Sequence, residues 1–491
     1  MKNHFKTSFV ITILAFMTVI GRSPQAIAFP SRSASGAVQQ SEKTTPQRVR
    51  SEVLGVSIPV PKNAVGEHLS LGEASRLVLR ETSNPPKWVI TIRTVKMPES
   101  LDGPLEQEAN PVVLARAFIE DARTISPELQ VISTTKSSFK GQPSSKVIVQ
   151  IPYEDTGKIA RYEWIFIQTG PNRFILFEAL SPGTSSGKST VNFDSILNLM
   201  EVEAENTMAE SWKDRLTAGA RLISKINEQS LRELLANHSS EVWYRRFAYD
   251  AESRPVELGY VGISMMEAPL GEMRKATPTP SNTGDTGFLV RIRTHLLPAQ
   301  AGGLSSDVDT RGWMSWDREE EFISTVATTR NPSDGSSTSR SSNTLRPRPT
   351  AGKPIRTLDV IRQRQDSVTR EQISLEVPDL AIFLSESELM ILPQLLAHLE
   401  AKSGEFSTFA WQPQREEITR RLDEWRALPQ GGHILRTRSY PDAPISTAQV
   451  DSDGKVRSRT IFKGSDSEEW IRMSPDELRE HYRRAGISLD R

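Results

Sequence analysis

Among its 491 residues the chain has no cysteine. No disulfide can staple the fold, so buried apolar area must hold it together. A lipid anchor of the bacterial lipoprotein kind, which is carried on a cysteine, is excluded as well. The chain also lacks an excess of either charge: Lys+Arg and Asp+Glu both number 61. Such a chain has no electrostatic footprint for a polyanion, which argues against nucleic acid as a partner. Long apolar runs are missing too. The longest, Phe9–Ile20, has 12 residues, where crossing a bilayer core takes roughly 20. No integral span is therefore expected in the mature chain.

That short run sits in a recognisable setting. Lys2 and Lys6 precede it, and Ala26-Ile27-Ala28 follows with the small-x-small pattern of a signal peptidase site. Residues 1–28 read as a cleavable export signal, with cleavage after Ala28. Removing them takes away Lys2, Lys6 and Arg22 and no acid, so 61 basic residues become 58 against 61 acidic. The expected location is secreted or periplasmic.

Residues 29–50 are small and polar, the composition of a disordered tether. A first folded block is expected over 53–203. Short strands open it, and a helix follows with Asn110 as N-cap and Pro111 in its first position. Strands Gln130–Phe139, Lys146–Ile151, Ile159–Thr169 and Arg173–Leu180 come next, then a closing helix with Phe193, Ile196 and Leu197. An antiparallel meander between helices predicts a two-layer α/β sandwich. Residues 207–237 read as a helical connector. From 238 to 491 the pattern is mainly strands, about ten, with a helix capped by Ser385 and Glu388 and a last one capped by Ser474 and Glu477. The stretch 331–354 is rich in Ser, Arg and Pro and reads as a disordered loop. The fold class expected is α+β: an N-terminal antiparallel sheet with flanking helices, then a large curved antiparallel sheet with helices.

The segment Phe288–Leu296 alternates cleanly. Phe288, Val290 and Ile292 share one face, and Arg291, Arg293 and His295 share the other. Because so many strands in one sheet must close or curl, Phe288, Val290 and Ile292 are the candidate lining of an apolar ligand site.

Motifs that suggest chemistry fail on inspection. Gly183–Ser189 (GTSSGKS) has three residues between its glycines, where a P-loop needs four to wrap the phosphates. Ser137–Lys140 and Ser185–Lys188 match a serine–lysine spacing but lack the other elements of that site. Asp451–Lys455 (DSDGK) lacks the remaining ligands of a calcium loop and reads as a hairpin turn. Asp317–Glu321 (DREEE) reads as a solvated charge run. The histidines are scattered, with no i, i+4 pair. No catalytic residue, metal site or cofactor is nominated.

Two resemblances bear on the role. The order strands, helix, meander, helix, with Phe139-Lys140-Gly141-Gln142 opening a strand pair and Phe193–Leu197 in the closing helix, resembles the PsbP-type sandwich. That family implies a binding or assembly module. The later strand-rich half resembles, in architecture alone, the half-barrels of the LolA/LolB lipoprotein carriers, which implies an apolar ligand. The function expected is a non-enzymatic envelope protein that binds an apolar small molecule or an envelope protein. A periplasmic hydrolase whose residues meet only in three dimensions, and a scaffold or assembly factor, stand as alternatives.

Overall fold

The structure is a computed structural model. It describes residues 48–71, 74–96, 110–152, 159–182 and 193–484, less 239, 250–253, 274–285, 299–303, 332–334, 350–355, 365–366, 376–381, 413–416, 442 and 464–465. The export signal with Ala28, the tether up to residue 47 and the Gly183–Ser189 motif lie outside those residues. The chain divides into two compact units between Ser211 and Trp212. No described helix is long and apolar enough to cross a membrane.

The first unit begins earlier than expected, with β1 (Arg48–Ser51) pairing β2 (Val56–Pro59). Then come β3 (Ala64–Leu71), β4 (Ala74–Glu81) and β5 (Val89–Val95). Helix α1 (Pro111–Ile125) starts where the capping signal predicts: the Asn110 side chain accepts from the amides of Val112 and Val113. The meander is β6 (Gln130–Phe139), β7 (Gln142–Pro152), β8 (Ile159–Gln168) and β9 (Phe174–Pro182). Helix α2 (Asp194–Leu199), the short β10 (Glu201–Val202) and helix α3 (Glu205–Ile223) follow, and the division between units falls inside α3.

Strands β3 to β9 form one antiparallel sheet in the order β3-β4-β5-β9-β8-β7-β6. Both its faces are covered. On one, Leu114, Phe118 and Ala122 of α1 pack on Val147, Val149, Trp164 and Phe166. On the other, Leu54, Val56 and Ile58 with Phe193 and Met200 pack on Leu77, Ile90, Ile165 and Phe177. The small sheet β1-β2-β10 thus supplies a third layer, where two were expected. Burial on both sides explains why β8 (IARYEWIFIQ) is buried from Ala160 to Ile167 without alternation.

In the second unit, α4 (Glu228–Asn237) is closed by a capping box between Asn227 and Ser230. Most of the expected connector therefore belongs to this unit. Eight strands then run in a meander: β11 (Val242–Tyr249), β12 (Pro255–Pro269), β13 (Thr286–Leu296), β14 (Ser305–Ser315), β15 (Glu321–Asn331), β16 (Gly335–Pro349), β17 (Arg356–Arg364) and β18 (Ser367–Leu375). A short β19 (Phe383–Leu384) leads to α5 (Glu386–His398). The rest is β20 (Gly404–Gln412), β21 (Glu417–Ala427), β22 (His433–Arg438), β23 (Ser446–Val450), β24 (Val456–Lys463), β25 (Asp466–Met473) and α6 (Pro475–Arg484).

All fifteen strands belong to one sheet, in which β25 returns to pair with β11 and so joins the two meanders. Pairing is antiparallel except between β19 and β20. One face is filled by α5. Its Ile391, Leu392, Leu395 and Leu396 are fully buried among Val261, Phe288, Val290, Trp425, Leu435 and Val450, and the helix touches strands of both meanders, β13–β15 and β23.

The stretch 331–354, expected to be a disordered loop, carries β16, paired along its length with β15 from Glu321↔Leu345 to Asn331↔Gly335. A polar composition deprives a segment of a core. It does not stop its amides and carbonyls from completing a ladder between two neighbouring strands.

Candidate binding site on the helix-covered face of the second sheet

The residues predicted to line a ligand site lie on the covered face. Phe288 and Val290 are fully buried in the cluster around α5, and Ile292 packs half-buried against it. The space before them is occupied by the chain's own leucines.

The charge run Asp317–Glu321 is solvated only in part: Asp317 and Glu319 are exposed, while Arg318 and Glu321 turn toward α5. Arg318, at φ +64°, forms an ion pair with Glu388, Nε to Oε1 at 2.5 Å, and Glu388 also completes the Ser385 capping box. Glu321 is 4% exposed and accepts hydrogen bonds from the amides of Ser387 (2.6 Å) and Glu386 (3.1 Å). Burial pushes its carboxyl up to about 7 against the hydrogen bonds from Ser387 and Glu386. Burial, then the charge of Glu321, pushes Glu386 up to about 8. These groups pin the amino end of α5 to β15. At the Asp451–Lys455 motif, Gly454 sits at φ +79° and its amide donates to the Asp451 carbonyl, a turn between β23 and β24. No described group of His, Asp or Glu side chains is arranged to hold a metal ion.

In the first unit a cleft of about 880 Å³ opens beside the start of α1, lined by Asn110, Arg116, Lys136, Gln168 and Asn172 among others. Asn110 is spent on capping, and Ser144 shares a 2.8 Å hydrogen bond with Ser137. Arg116 and Lys136 are exposed. Polar groups already satisfied and cations already in water leave little to drive binding.

A different arrangement lies under α5. Lateral pairing aligns Trp425, Leu435, Ala448, Arg459, Trp470 and Arg246 in one row across six adjacent strands. The first three belong to the apolar core. Beside the row, Asp423 pairs with Thr437, and Arg421 lies opposite Thr408. Strand β21 turns Thr419, Arg421, Asp423 and Trp425 inward, each buried, while Leu422 is only half-buried on the other side. The covered face is therefore apolar at one end and strongly polar at the other.

The polar end is almost fully paired. Asp423, with no exposed surface, accepts from Arg421 Nε (2.6 Å) and Nη2 (2.9 Å) and from the Thr437 hydroxyl (2.5 Å). Arg246, 5% exposed, pairs with Glu468 at 2.5 Å. Arg459 differs. Its Nη2 donates to the carbonyl of Met390 on α5 at 3.0 Å, one residue from Leu389, whose carbonyl loses its helical partner because Pro393 has no amide hydrogen. Its Nε is shielded from solvent and has no hydrogen-bond partner. Among the described residues no carboxylate lies within ion-pair distance of Arg459. Burial pulls its affinity for a proton down; of its neighbours, the Tyr244 phenol offsets this and the Arg421 guanidinium adds to it.

Sequence reasoning missed this site because its members are spread from Arg246 to Trp470. The one local signal was β21, ITRRLDEW, whose charged residues share a phase with a tryptophan.

No protein-family model and no curated protein matches the sequence. Among solved structures, a β-barrel-like protein of a domain of unknown function from Brucella abortus is similar over 48% of this chain and 95% of its own, at 10% identity and a TM-score of 0.30. The cyanobacterial PsbP of Synechocystis is similar over 34% of this chain and 98% of its own, at 14% identity and a TM-score of 0.24. A Pseudomonas aeruginosa protein of unknown function is similar over 29% and 84%, at 14% identity and a TM-score of 0.16. These are distant likenesses to PsbP-like and barrel-like folds, in keeping with a sheet-dominated α+β chain.

Proposed function

We propose that the chain is an exported, non-enzymatic binding protein of the cell envelope, and that it binds at the polar end of the covered face, around Arg459. Export rests on Lys2, Lys6, the apolar run and Ala26–Ala28. One observation carries the binding reading: Arg459 is half-buried with its Nε shielded and, among the described residues, has no carboxylate partner, while Arg421, Arg246 and Arg318 of the same unit each hold one. A charge partly withdrawn from water and without a counter-charge carries a desolvation cost, and a ligand that supplies one reduces it. Binding is favoured over hydrolysis because Asp423, the buried carboxylate of the site, already accepts three hydrogen bonds and is not free to act as a base.

Native mass spectrometry of the protein recovered from its own envelope fraction tests this. A reproducible one-to-one adduct that disappears on denaturation is expected, on a polypeptide beginning at Phe29. Polypeptide mass alone in every preparation rejects it. A second reading, an assembly factor working through its surfaces, is favoured by the filling of the apolar faces in both units. It predicts the empty protein.

A further inference from the structure

We propose that the group bound at the polar end of this face is an oxyanion, a phosphate or carboxylate, held by Arg459. The inference rests on the binding reading above and names the chemistry of its ligand. The charges around the site set the sign. Arg421 is neutralised by Asp423 and Arg246 by Glu468. Arg459 has only a neutral carbonyl, so it holds the one positive charge of these three guanidiniums that lacks a neighbouring carboxylate.

Donors point the same way. Arg459 keeps a shielded Nε–H that donates to nothing, and a guanidinium presents such donors in a fixed planar fork suited to carboxylate and phosphate oxygens. The unpartnered Nε–H groups of Arg459 and of Arg246, in the same row, can both donate to an anion, while Gln394 Oε1 on α5 is an unpartnered acceptor. A neutral apolar ligand would leave the Arg459 charge as it is, and a cation would be repelled.

Such an oxyanion could be free or the head of an amphiphile. The half-buried Trp470 and Met390, packed against the apolar core beside Arg459, are where a tail would lie. Two probes separate the sources: inorganic phosphate and monododecyl phosphate, each titrated into the full mature chain at constant ionic strength with chloride as reference, and followed by thermal unfolding. A saturable rise in Tm with at least one probe is expected. Inorganic phosphate acting alone assigns a free anion, and dodecyl phosphate acting at much lower concentration assigns an amphiphile. Arg459→Met should weaken the response at least tenfold, and Arg459→Lys, which keeps the charge and loses the fork, should weaken it less. Arg311→Met, on the opposite face, should respond as the parent does. Circular dichroism establishes that each variant is folded. If Arg459→Met does not fold, Arg459→Gln is the second variant, expected to weaken binding severalfold.

Absence of a saturable response to either probe in the parent protein overturns the proposal. So does an equal response in folded Arg459→Met, or in Arg459→Gln where that variant stands in. If the native protein carries an adduct that Arg459→Met leaves in place, the binding reading stands and the oxyanion assignment falls. If there is neither adduct nor response, both fall.

Discussion

The two large sheets use their faces in opposite ways. In the seven-stranded sheet both faces are apolar and both are covered, so side chains as different in position as Trp164 and Ile165, adjacent on β8, are each buried in separate cores. In the fifteen-stranded sheet one face is filled by α5, and the other carries ion pairs beside two smaller apolar clusters, one under α6 around Tyr260 and Tyr482 and one around Leu289 and Trp313. On that outer face Asp309 takes both Arg291 and Arg311, Glu241 pairs with Arg293, and Asp307 pairs with His295 and Arg330. The first sheet spends its strands on stability. The second keeps polar side chains on both faces, and at one end of the covered face they are buried. It is in the second unit, therefore, that a polar group out of water must have a partner or take one from solution.

The largest expected effect tests the doubly covered sheet. Trp164 is 2% exposed and meets Phe118 edge-on at 5.1 Å. Trp164→Ala should cost about 3–5 kcal/mol, the loss of a large aromatic plus the cavity left behind. Urea unfolding of the first unit checks it, and a cost below about 1 kcal/mol would show that α1 relaxes onto the sheet and that this face is not close-packed. Next in size is Glu388→Ala. It leaves Arg318 without its carboxylate and opens the capping box of α5, with an expected cost of about 3 kcal/mol in the second unit. Glu388→Gln should recover part of that loss, because an amide can still accept at the cap.

A pH dependence belongs to the same clasp. Burial pushes the Glu321 carboxyl in the folded protein up to about 7, from the ordinary 4.5. The folded state therefore binds more protons than the unfolded chain between those values. Stability falls as pH rises through that window, and Glu386, pushed up to about 8, extends the fall. The charged and titratable groups described around the pair are Arg318 and Glu388. The second unit should be more stable at pH 5 than at pH 8, by on the order of 2 kcal/mol. Glu321→Gln should flatten the slope. A midpoint that rises between pH 5 and 8 in the parent protein would reverse the sign argued here.

What could be read from the sequence follows from how local each signal is. The caps at Asn110, Ser385 and Ser474 were legible because donor and acceptor lie within three residues of each other. The two faces of β13 were legible because alternation is a property of one strand. Strand β16 was not, because its place is fixed by β15 and β17 and not by its own composition. The row through Arg459 was hidden for a stronger reason. Its six members become neighbours only through the register of five successive strand pairings, and a slip of one residue in any of them would turn part of the row to the other face. The helix that fills the covered face was itself legible, but not where its leucines would go. Hence Phe288, Val290 and Ile292 read as a lining when two of the three are core.

The smallest effect bears most directly on the contrast between the two faces of the second sheet. Arg311 and Arg421 are alike in local arrangement: each bonds a carboxylate two residues away on its own strand, Asp309 and Asp423. They differ in surroundings. Arg311 keeps 34% of its side-chain surface exposed and shares Asp309 with Arg291, which reaches it through Nε and Nη2 at 2.9 Å each. Removing Arg311 leaves Asp309 paired and in reach of water, so Arg311→Ala should cost less than about 0.5 kcal/mol. Arg421→Ala leaves Asp423 with one hydroxyl as partner and no exposed surface, and should cost several times more. The gap should persist in 1 M salt, because screening reaches the outer pair and not the buried one. Equal costs for the two substitutions would mean that water enters beneath α5 as freely as it bathes the outer face. In that case Arg459 would need no anion, because solvent would already satisfy it.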